Sequence, residues 1–578
     1  MTTPSNSPST TFEDLLDAAN EAAKREGTQW FFLVTLMVYL AVAVGSVTHR
    51  KLFLEEPVPL PIFNVPMPLT GFFVVAPAIF VLLHFYVLTQ ISVMARKVEA
   101  ALTEAAPAGV SQQDARLRLD PFPVAQMLAG GRSLALTATA WCTLIIAPVL
   151  LLLFFQVRFL PYHDASVTWW HRVLLLVDLV LIWWLWPRRR HGRRRWPTRI
   201  VATICTAAVV FFSTILATVP DEAIDHAALR IPGSVRPYST AVTRDPLLVF
   251  VDRVLGRAAP TDDASQLPWI EAPEESWAAA LRRGLFTGSF DKRLQWSSLF
   301  VNALVLPNER FVPARDEDFR DVSETLVLRG RDLSWARLDR ADLRKADLSG
   351  ADLRGAVLQH ARLEQANLSN ANLEESILFD AQLQGATLDR TSLYRAKLSG
   401  ARLTGASLVG ADLRSALLEQ TVLDAATLDR AAMGAADLSQ ARMRAASLRW
   451  ADLTDAVLTG AVFVGAMLDD ANLTGAHVTG IDAVGASRVG THGSASTPGE
   501  APTPRALATH LLSLACLPDD QPFAARGVIR NVLAWDSAKV DREHVAHHLR
   551  APSECPGAAN LKPSDLRDLP PQPARGLR

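Results

Sequence analysis

The sequence predicts a chain of two parts: an N-terminal α-helical membrane bundle with five spans, and a C-terminal all-β solenoid followed by a small helical module. Two observations carry this prediction. Five apolar runs in the first 220 residues each reach the roughly 20 residues with which a helix crosses a bilayer. A five-residue phrase then recurs in unbroken phase through 29 consecutive units, from Ala336 to Gly480.

The repeated phrase reads Ala, then Asp or Asn, then Leu and two variable residues, as in Ala346–Gly350. Leu at every fifth residue would spread around all faces of an α-helix and would alternate between the two faces of a flat strand. If the chain turns a corner in each unit, Ala and Leu both point inward. Four units then close a square coil of about twenty residues, and coils stack about 4.8 Å apart. The exceptions are Ser376, Thr391 and Thr421 at the first position, and Met433, Met443, Phe463 and Val478 at the third.

The square coil makes a direct prediction about side chains that lie twenty residues apart. They should form inward columns in which every member is almost fully buried. One such column is Leu363, Leu383, Leu403, Leu423, Met443 and Phe463.

These units closely resemble the pentapeptide-repeat family, and the resemblance covers about a quarter of the chain. It implies a right-handed quadrilateral β-helix, which we expect over residues 331–485. It implies no activity, because a repeat scaffold does not by itself define a function.

Some members of the family resemble DNA in shape and charge and protect or inhibit gyrase, which implies a strongly acidic solenoid in the cytoplasm. The stretch Ala336–Gly480 holds 18 acidic and 15 basic residues, and the whole chain has a net charge of −1. Mixed charge and a membrane anchor argue against DNA mimicry, so no nucleic-acid partner is expected.

The membrane region is expected over residues 29–219, after a cytoplasmic tail and amphipathic helix at 1–28. Trp residues mark the ends of the spans. Lys and Arg total 14 before the first span and in the loops after the second and fourth spans, against four close to the span ends on the other side. The N-terminus is therefore predicted inside a bacterial inner membrane, and five spans place the solenoid outside; four would place it in the cytoplasm. The predicted spans are Gln29–Thr48, Thr70–Met94, Ser133–Gln156, Thr168–Pro187 and Ile200–Val219.

A basic loop between the fourth and fifth spans is interpreted as a topology signal that contacts anionic lipid. A nucleic-acid site would need a fold to present these side chains, and the loop is too short to supply one. Its residues are Arg188, Arg189, Arg190, Arg193, Arg194, Arg195 and Arg199.

Two ionisable residues fall near the middle of predicted spans, His84 in the second and Asp178 in the fourth. Such residues are costly in hydrocarbon and are functional candidates by default. The alternative is polar contact that holds helices together. Counted from the outer ends, their depths differ by roughly 6 Å, so we expect both to face the bundle.

The regions around the repeat are expected to be a mixed segment at 220–330 that caps the first coil, a flexible linker at 486–505, and a helical module with a disordered tail at 506–578. The module carries Cys516 and Cys555, which an oxidising compartment would join in a disulfide; the alternative is one packed and one free thiol. The spacing of Cys and His matches no structural zinc pattern.

No phosphate-binding loop, nucleophile elbow or metalloprotease motif occurs, so the sequence predicts no enzyme, cofactor or metal site. The favoured function is a membrane-anchored scaffold whose solenoid binds a protein or an envelope component. The alternatives are a topoisomerase-binding DNA mimic, if the solenoid is cytoplasmic, and a transport or sensing component that uses His84 and Asp178. Lipid is the expected surrounding partner, and a homodimer stays open.

Overall fold

The computed structural model describes residues 11–60, 65–130, 133–186, 196–217, 304–311, 325–493, 503–516, 523–535, 540–551, 555–558 and 561–570. The chain divides into two compact units, Met1–Asn302, here called the membrane unit, and Ala303–Arg578, here called the repeat unit. The predicted N-terminal tail before residue 11 and the tail after residue 570 lie outside the described residues.

The membrane unit begins with one helix, α1 (Phe12–Gly45), of 34 residues. Thr11 caps it: its side chain accepts from the Asp14 amide while the Asp14 carboxylate accepts from the Thr11 amide. The amphipathic helix expected within 1–28 and the span expected from Gln29 are one continuous helix, which passes through Gly27. The helix ends before Thr48, which instead caps α2 (His49–Leu54).

A short hairpin, β1 (Val58–Leu60) and β2 (Val65–Met67), leads into α3 (Leu69–Glu104). The two strands are antiparallel, with Pro59 opposite Pro66. Two short helices follow, α4 (Gln112–Leu117) and α5 (Pro123–Leu128).

The next crossing consists of α6 (Leu134–Trp141), a π-helical turn (Cys142–Ile146) and α7 (Ala147–Phe159), and it is followed by α8 (Ala165–Leu185). Within the described residues, four helices are long and apolar enough to cross a membrane, and they match the first four predicted spans. These are Phe12–Gly45, Leu69–Glu104, Leu134–Tyr162 and Ala165–Leu185.

The fifth predicted span coincides with a shorter helix, α9 (Trp196–Phe211), which continues into a π-helical turn (Phe212–Leu216). Its apolar part, Ile200–Thr214, is shorter than the other four. The Trp183 indole donates to the Thr206 hydroxyl (3.1 Å), and the Arg172 guanidinium donates to the Ala217 carbonyl (3.1 Å). The later residue of α8, Trp183, contacts the earlier residue, Thr206 of α9, and the earlier residue of α8, Arg172, contacts the later one, Ala217. The helix α9 therefore runs antiparallel to α8. A fifth crossing stays a prediction.

The repeat unit is a β-helix solenoid. Its coils are joined by parallel bridges between residues twenty apart, from Val327 with Asp347 to Asn472 with His492. Four bridges occur in every twenty residues, one in each five-residue unit. The fifth residue of each unit turns the corner with positive φ, as at Gly350 (66°).

The inward column behaves as predicted. Leu363, Leu383, Leu403 and Met443 have no exposed surface, Leu423 has 1%, and Phe463 has 2%. Ala and Leu of each unit therefore fill the interior of the coil, which confirms the interpretation of the five-residue period.

The solenoid is longer than the expected 331–485. Val305 pairs with Arg337 and Arg310 pairs with Asp342, each 32 residues on instead of twenty. Residues 304–311 are thus part of the first coil and not a separate cap, and twelve additional residues lie between Arg310 and the next bridge at Val327. The remainder of the expected cap, 220–303 and 312–324, lies outside the described residues.

The coil also continues past 485, since Ser487 and His492 still pair with the preceding turn. This corrects the expected linker at 486–505, of which only 494–502 lies outside the described residues. The Leu signal fades there, with Arg488 at the third position, but the backbone of the previous coil still templates pairing.

The described residues of the C-terminal module form three helices, α10 (Pro504–Ala515), α11 (Phe523–Ala534) and α12 (Arg542–Leu549). The sequence predicts these helices within two residues of the same bounds, at Arg505–Leu517, Phe523–Trp535 and Arg542–Leu549. A single 3₁₀ turn, Pro556–Ala558, follows.

Candidate functional sites

The membrane unit brings His84 and Asp178 into contact, with Nδ1 of the imidazole 2.6 Å from Oδ1 of the carboxyl group. Neither residue has exposed surface. The other ring nitrogen, Nε2, lies 3.2 Å from the carbonyl oxygen of Leu144, and the Phe80 ring stacks on the imidazole at 6.0 Å. Three crossings therefore meet at this pair: α3, the π-helical turn after α6, and α8.

The carbonyl group that His84 Nε2 contacts belongs to the π-helical turn. Leu144 lies inside Cys142–Ile146, where the hydrogen bonds reach five residues back, as from the Ala147 amide to the Cys142 carbonyl. Such turns occur often at functional sites because they displace the regular ladder.

A second buried polar cluster ties α9 to the bundle, and the sequence interpretation missed it. Gln156 donates to the Ser213 carbonyl at 2.8 Å, and the Ser213 hydroxyl donates back to Gln156 at 2.7 Å. Arg172, only 1% exposed, donates to the same carbonyl at 3.1 Å and lies over the Trp169 ring at 4.6 Å. The cluster covers carbonyl groups at the end of α9 that a helix leaves unsatisfied.

The basic loop is not brought into any site by the described residues. Arg188, Arg189, Arg190, Arg193, Arg194 and Arg195 lie outside them, and Arg199 lies in α9. Its role as a lipid-contacting topology signal therefore stays a prediction.

In the repeat unit the helical module packs on one corner of the solenoid. In six successive coils, the residue that turns the chain at this corner is Gly or Ala. A Cβ atom at Gly405 would lie 2.2 Å from the Phe523 carbonyl oxygen, and one at Gly385 would lie 2.7 Å from the Phe523 ring. Gly527 of α11 is equally close, since its Cβ would lie 2.8 Å from the Cα of Gly405. Larger side chains would hold the helix away. The six residues are Gly385, Gly405, Ala425, Ala445, Gly465 and Gly485.

Polar contacts fix the register of this packing. Asn531 of α11, fully buried, accepts from the Thr427 hydroxyl at 2.7 Å and donates to the Ala445 carbonyl at 3.0 Å. The Trp535 indole donates to the Ser447 hydroxyl at 2.9 Å. The sequence interpretation missed this column of small residues, and only the fold shows that a helix covers it.

Cys516 and Cys555 are joined in a disulfide, with their Cα atoms 4.4 Å apart. Cys516 follows α10 directly, and Cys555 precedes the last 3₁₀ turn with no exposed surface. Among the described residues no group of His, Cys, Asp and Glu is arranged to hold a metal ion.

Several carboxylates on the outside of the solenoid are paired with arginine. Arg354 lies 2.6 Å from Asp352, and Arg414 lies 2.6 Å from Asp412, each within one five-residue unit. The hydrogen bond from Arg414 holds the pKa of Asp412 below its usual value. The acidic residues therefore do not form an unbroken negative surface. Asp342 pairs with Arg344 of the same unit, whereas Asp424 pairs with Arg444 and Asp429 with Arg449, each in the next coil.

Another row of outward side chains is partly apolar and accessible to solvent. Val357, Ile377 and Val457 are partly buried, and Leu417 is 38% exposed. Lys397 lies between them, and burial lowers the pKa of its ammonium group. By contrast, Met467 in the row under the helical module is 1% exposed.

Comparisons with known proteins agree with the repeat. The family model for pentapeptide repeats matches in 8 copies, over residues 332–370, 366–405, 376–414, 406–444 and 446–482. No curated protein matches the chain.

Among solved structures, the chain is similar to HetL, a pentapeptide repeat protein involved in heterocyst differentiation regulation from the cyanobacterium Nostoc sp. The two are 35% identical over 28% of this chain and 82% of HetL, with a TM-score of 0.24. QnrB1, a plasmid-mediated fluoroquinolone resistance protein, is 18% identical over 33% of this chain and 90% of its own, with a TM-score of 0.21. The family model and the identity to HetL establish that this chain belongs to the pentapeptide-repeat family.

Proposed function

We propose that this protein is a non-enzymatic, membrane-anchored scaffold that presents its solenoid to a protein or an envelope component. The observation that carries the proposal is the joining, in one chain, of an apolar helical unit to a long repeat with open faces. Side chains on the outside of the helices are large and apolar, as a lipid-facing surface requires. Examples are Phe31 at 67% exposure, Leu82 at 67%, Val180 at 64% and Trp184 at 71%.

The proposal includes five spans, with the N-terminus in the cytoplasm and the solenoid, a right-handed quadrilateral coil, outside. The antiparallel course of α9 against α8 supports a fifth crossing, because eleven residues separate Trp183 from Arg172 and eleven separate Thr206 from Ala217. The disulfide between Cys516 and Cys555 supports an oxidising compartment for the module.

The side of the membrane can be tested with reporter fusions at the C-terminus of the full-length protein. A reporter active only outside the cytoplasm should give a signal, and a cytoplasmic reporter should not. The opposite pattern would overturn the outside topology and would favour the alternative, a cytoplasmic DNA mimic. The arginine pairing of the solenoid carboxylates argues against that alternative, since mimicry of DNA needs a continuous negative surface.

Binding to the open surface can be tested with a photo-crosslinking residue. Placed at Leu417 in native membranes, it should yield one defined adduct that purified repeat unit competes away. Placed at Met467, which the helical module covers, it should yield none. Equal labelling at both positions, or none at Leu417 and at every other accessible outward position of the row, would contradict a scaffold role.

A further inference from the structure

The contacts of His84 and Asp178 determine how many hydrogens the two side chains hold. A carbonyl oxygen only accepts hydrogen bonds, so the contact of Nε2 with Leu144 requires that Nε2 bear a hydrogen. The 2.6 Å contact between Nδ1 and Oδ1 then needs one further hydrogen, because otherwise two lone pairs would face each other. That hydrogen lies on the imidazole or on the carboxyl group.

Either position of this hydrogen gives the same total charge. On Nδ1 it makes an imidazolium beside a carboxylate, and on Oδ1 it makes a neutral imidazole beside a carboxylic acid. The pair is neutral in both cases and holds one shared proton.

We propose that His84 and Asp178 form a binding site for a single proton, and that this proton locks together α3, the π-helical turn and α8. Loss of the proton would leave one negative charge in the apolar bundle, and gain of a second would leave one positive charge. Asp178 Oδ2 is buried and has no hydrogen-bond partner among the described residues, so nothing else there compensates a carboxylate. A shared proton is the ligand that this geometry fits.

Other ionisable groups on the surrounding helices are engaged elsewhere or are separated in sequence. His171 lies seven residues before Asp178 on α8, about 10 Å along the axis, and contacts the Phe73 carbonyl at 2.7 Å. Arg172 binds the end of α9. On α3 the Tyr86 hydroxyl, two residues from His84, accepts from Gln29 at 3.3 Å, and Cys142 begins the π-helical turn. Other ionisable groups on the surrounding helices include Glu26 and Tyr39 on α1 and Arg158 on α7.

The first test uses ¹⁵N-labelled histidine in the full-length protein in lipid nanodiscs. Free imidazole changes its charge between about pH 5 and pH 8. Across that range we expect the ring nitrogens of His84 to keep one spectrum with a shared, strongly deshielded proton. Asp178→Asn should abolish that proton signal. A His84 spectrum that titrates like a water-exposed ring, or one that Asp178→Asn leaves unchanged, would overturn the proposal.

The second test separates a proton site from simple polar contact between helices. The double variant His84→Asn with Asp178→Asn keeps two hydrogen-bonding side chains but has no ionisable group. We expect the unfolding midpoint of wild type to fall toward acid and toward alkaline pH, where the pair gains a second proton or loses its only one, and both falls to be smaller in the double variant. His171→Asn, which removes a buried imidazole from the same helix without a carboxylate partner, is the control and should retain both falls. Identical pH profiles for wild type and the double variant would show that no proton is bound there.

Discussion

Asn531→Ala is the perturbation that most directly tests how the helical module is held on the solenoid. Asn531 accepts from the Thr427 hydroxyl at 2.7 Å and donates to the Ala445 carbonyl at 3.0 Å, and its longer contact to the Ala425 carbonyl is 3.4 Å. Ala425 and Ala445 are corner residues, whose carbonyls the coil-to-coil ladder does not use within the described residues. Covering them without Asn531 would leave buried acceptors unpaired.

The magnitude follows from the two short hydrogen bonds. An unpaired buried polar group costs about 1–3 kcal/mol, and the 3.4 Å contact adds little. We therefore expect local opening of the module to become easier by about 3 kcal/mol, which corresponds to a change of about a hundredfold in the opening equilibrium.

Hydrogen exchange read by mass spectrometry measures this opening directly. Amides of α11 should exchange about a hundredfold faster in Asn531→Ala, while those of the solenoid coils, as near Leu363, are held by the coil-to-coil ladder and should not change. Ala534→Ser, at an exposed position of the same helix, is the control and should match wild type. Unchanged exchange of α11 in Asn531→Ala would refute the reasoning that polar contacts at the corner fix the module.

The five-residue period was sufficient to predict the interior of the solenoid, because Leu at every fifth residue can always point inward only if each unit turns a corner. The two ends of the solenoid were harder to predict from the sequence. The coil begins at Val305 and resumes at Val327 after an insertion of twelve residues, so the phase of the first coil cannot be followed through the sequence. At His492 the apolar signal has faded, yet pairing with Asn472 continues, since the ladder depends on the backbone and not on Leu.

The candidate sites were likewise only partly predictable from the sequence. The similar depths of His84 and Asp178 made contact an expectation, but the part of Leu144 could not be foreseen, because a π-helical turn has no sequence signature at Cys142–Ile146. The six small corner residues lie twenty apart in the sequence, but the sequence interpretation did not single them out. Their use requires knowing that α11 lies across them, which is a long-range contact that periodicity within the repeat does not encode.

Three further predictions concern the repeat unit. Leu403→Ala should destabilise the solenoid by about 2–5 kcal/mol in chemical denaturation, and Leu403→Asp should unfold it, because this side chain has no exposed surface. Reduction of the disulfide between Cys516 and Cys555, which are 39 residues apart, should cost the module roughly 3–4 kcal/mol; a midpoint unmoved by reductant would contradict this. The pKa of Asp412 is lowered in the folded state by the hydrogen bond from Arg414, so its carboxylate stabilises the fold above the unfolded pKa, about 3.9, and this contribution disappears as pH falls through the lower folded value. Arg414 is 58% exposed, so the effect is small and weakens in salt. Asp412→Asn should therefore match wild type at the acid limit and be slightly less stable near neutral pH; a deficit that is largest below the folded pKa would have the wrong sign for this pair.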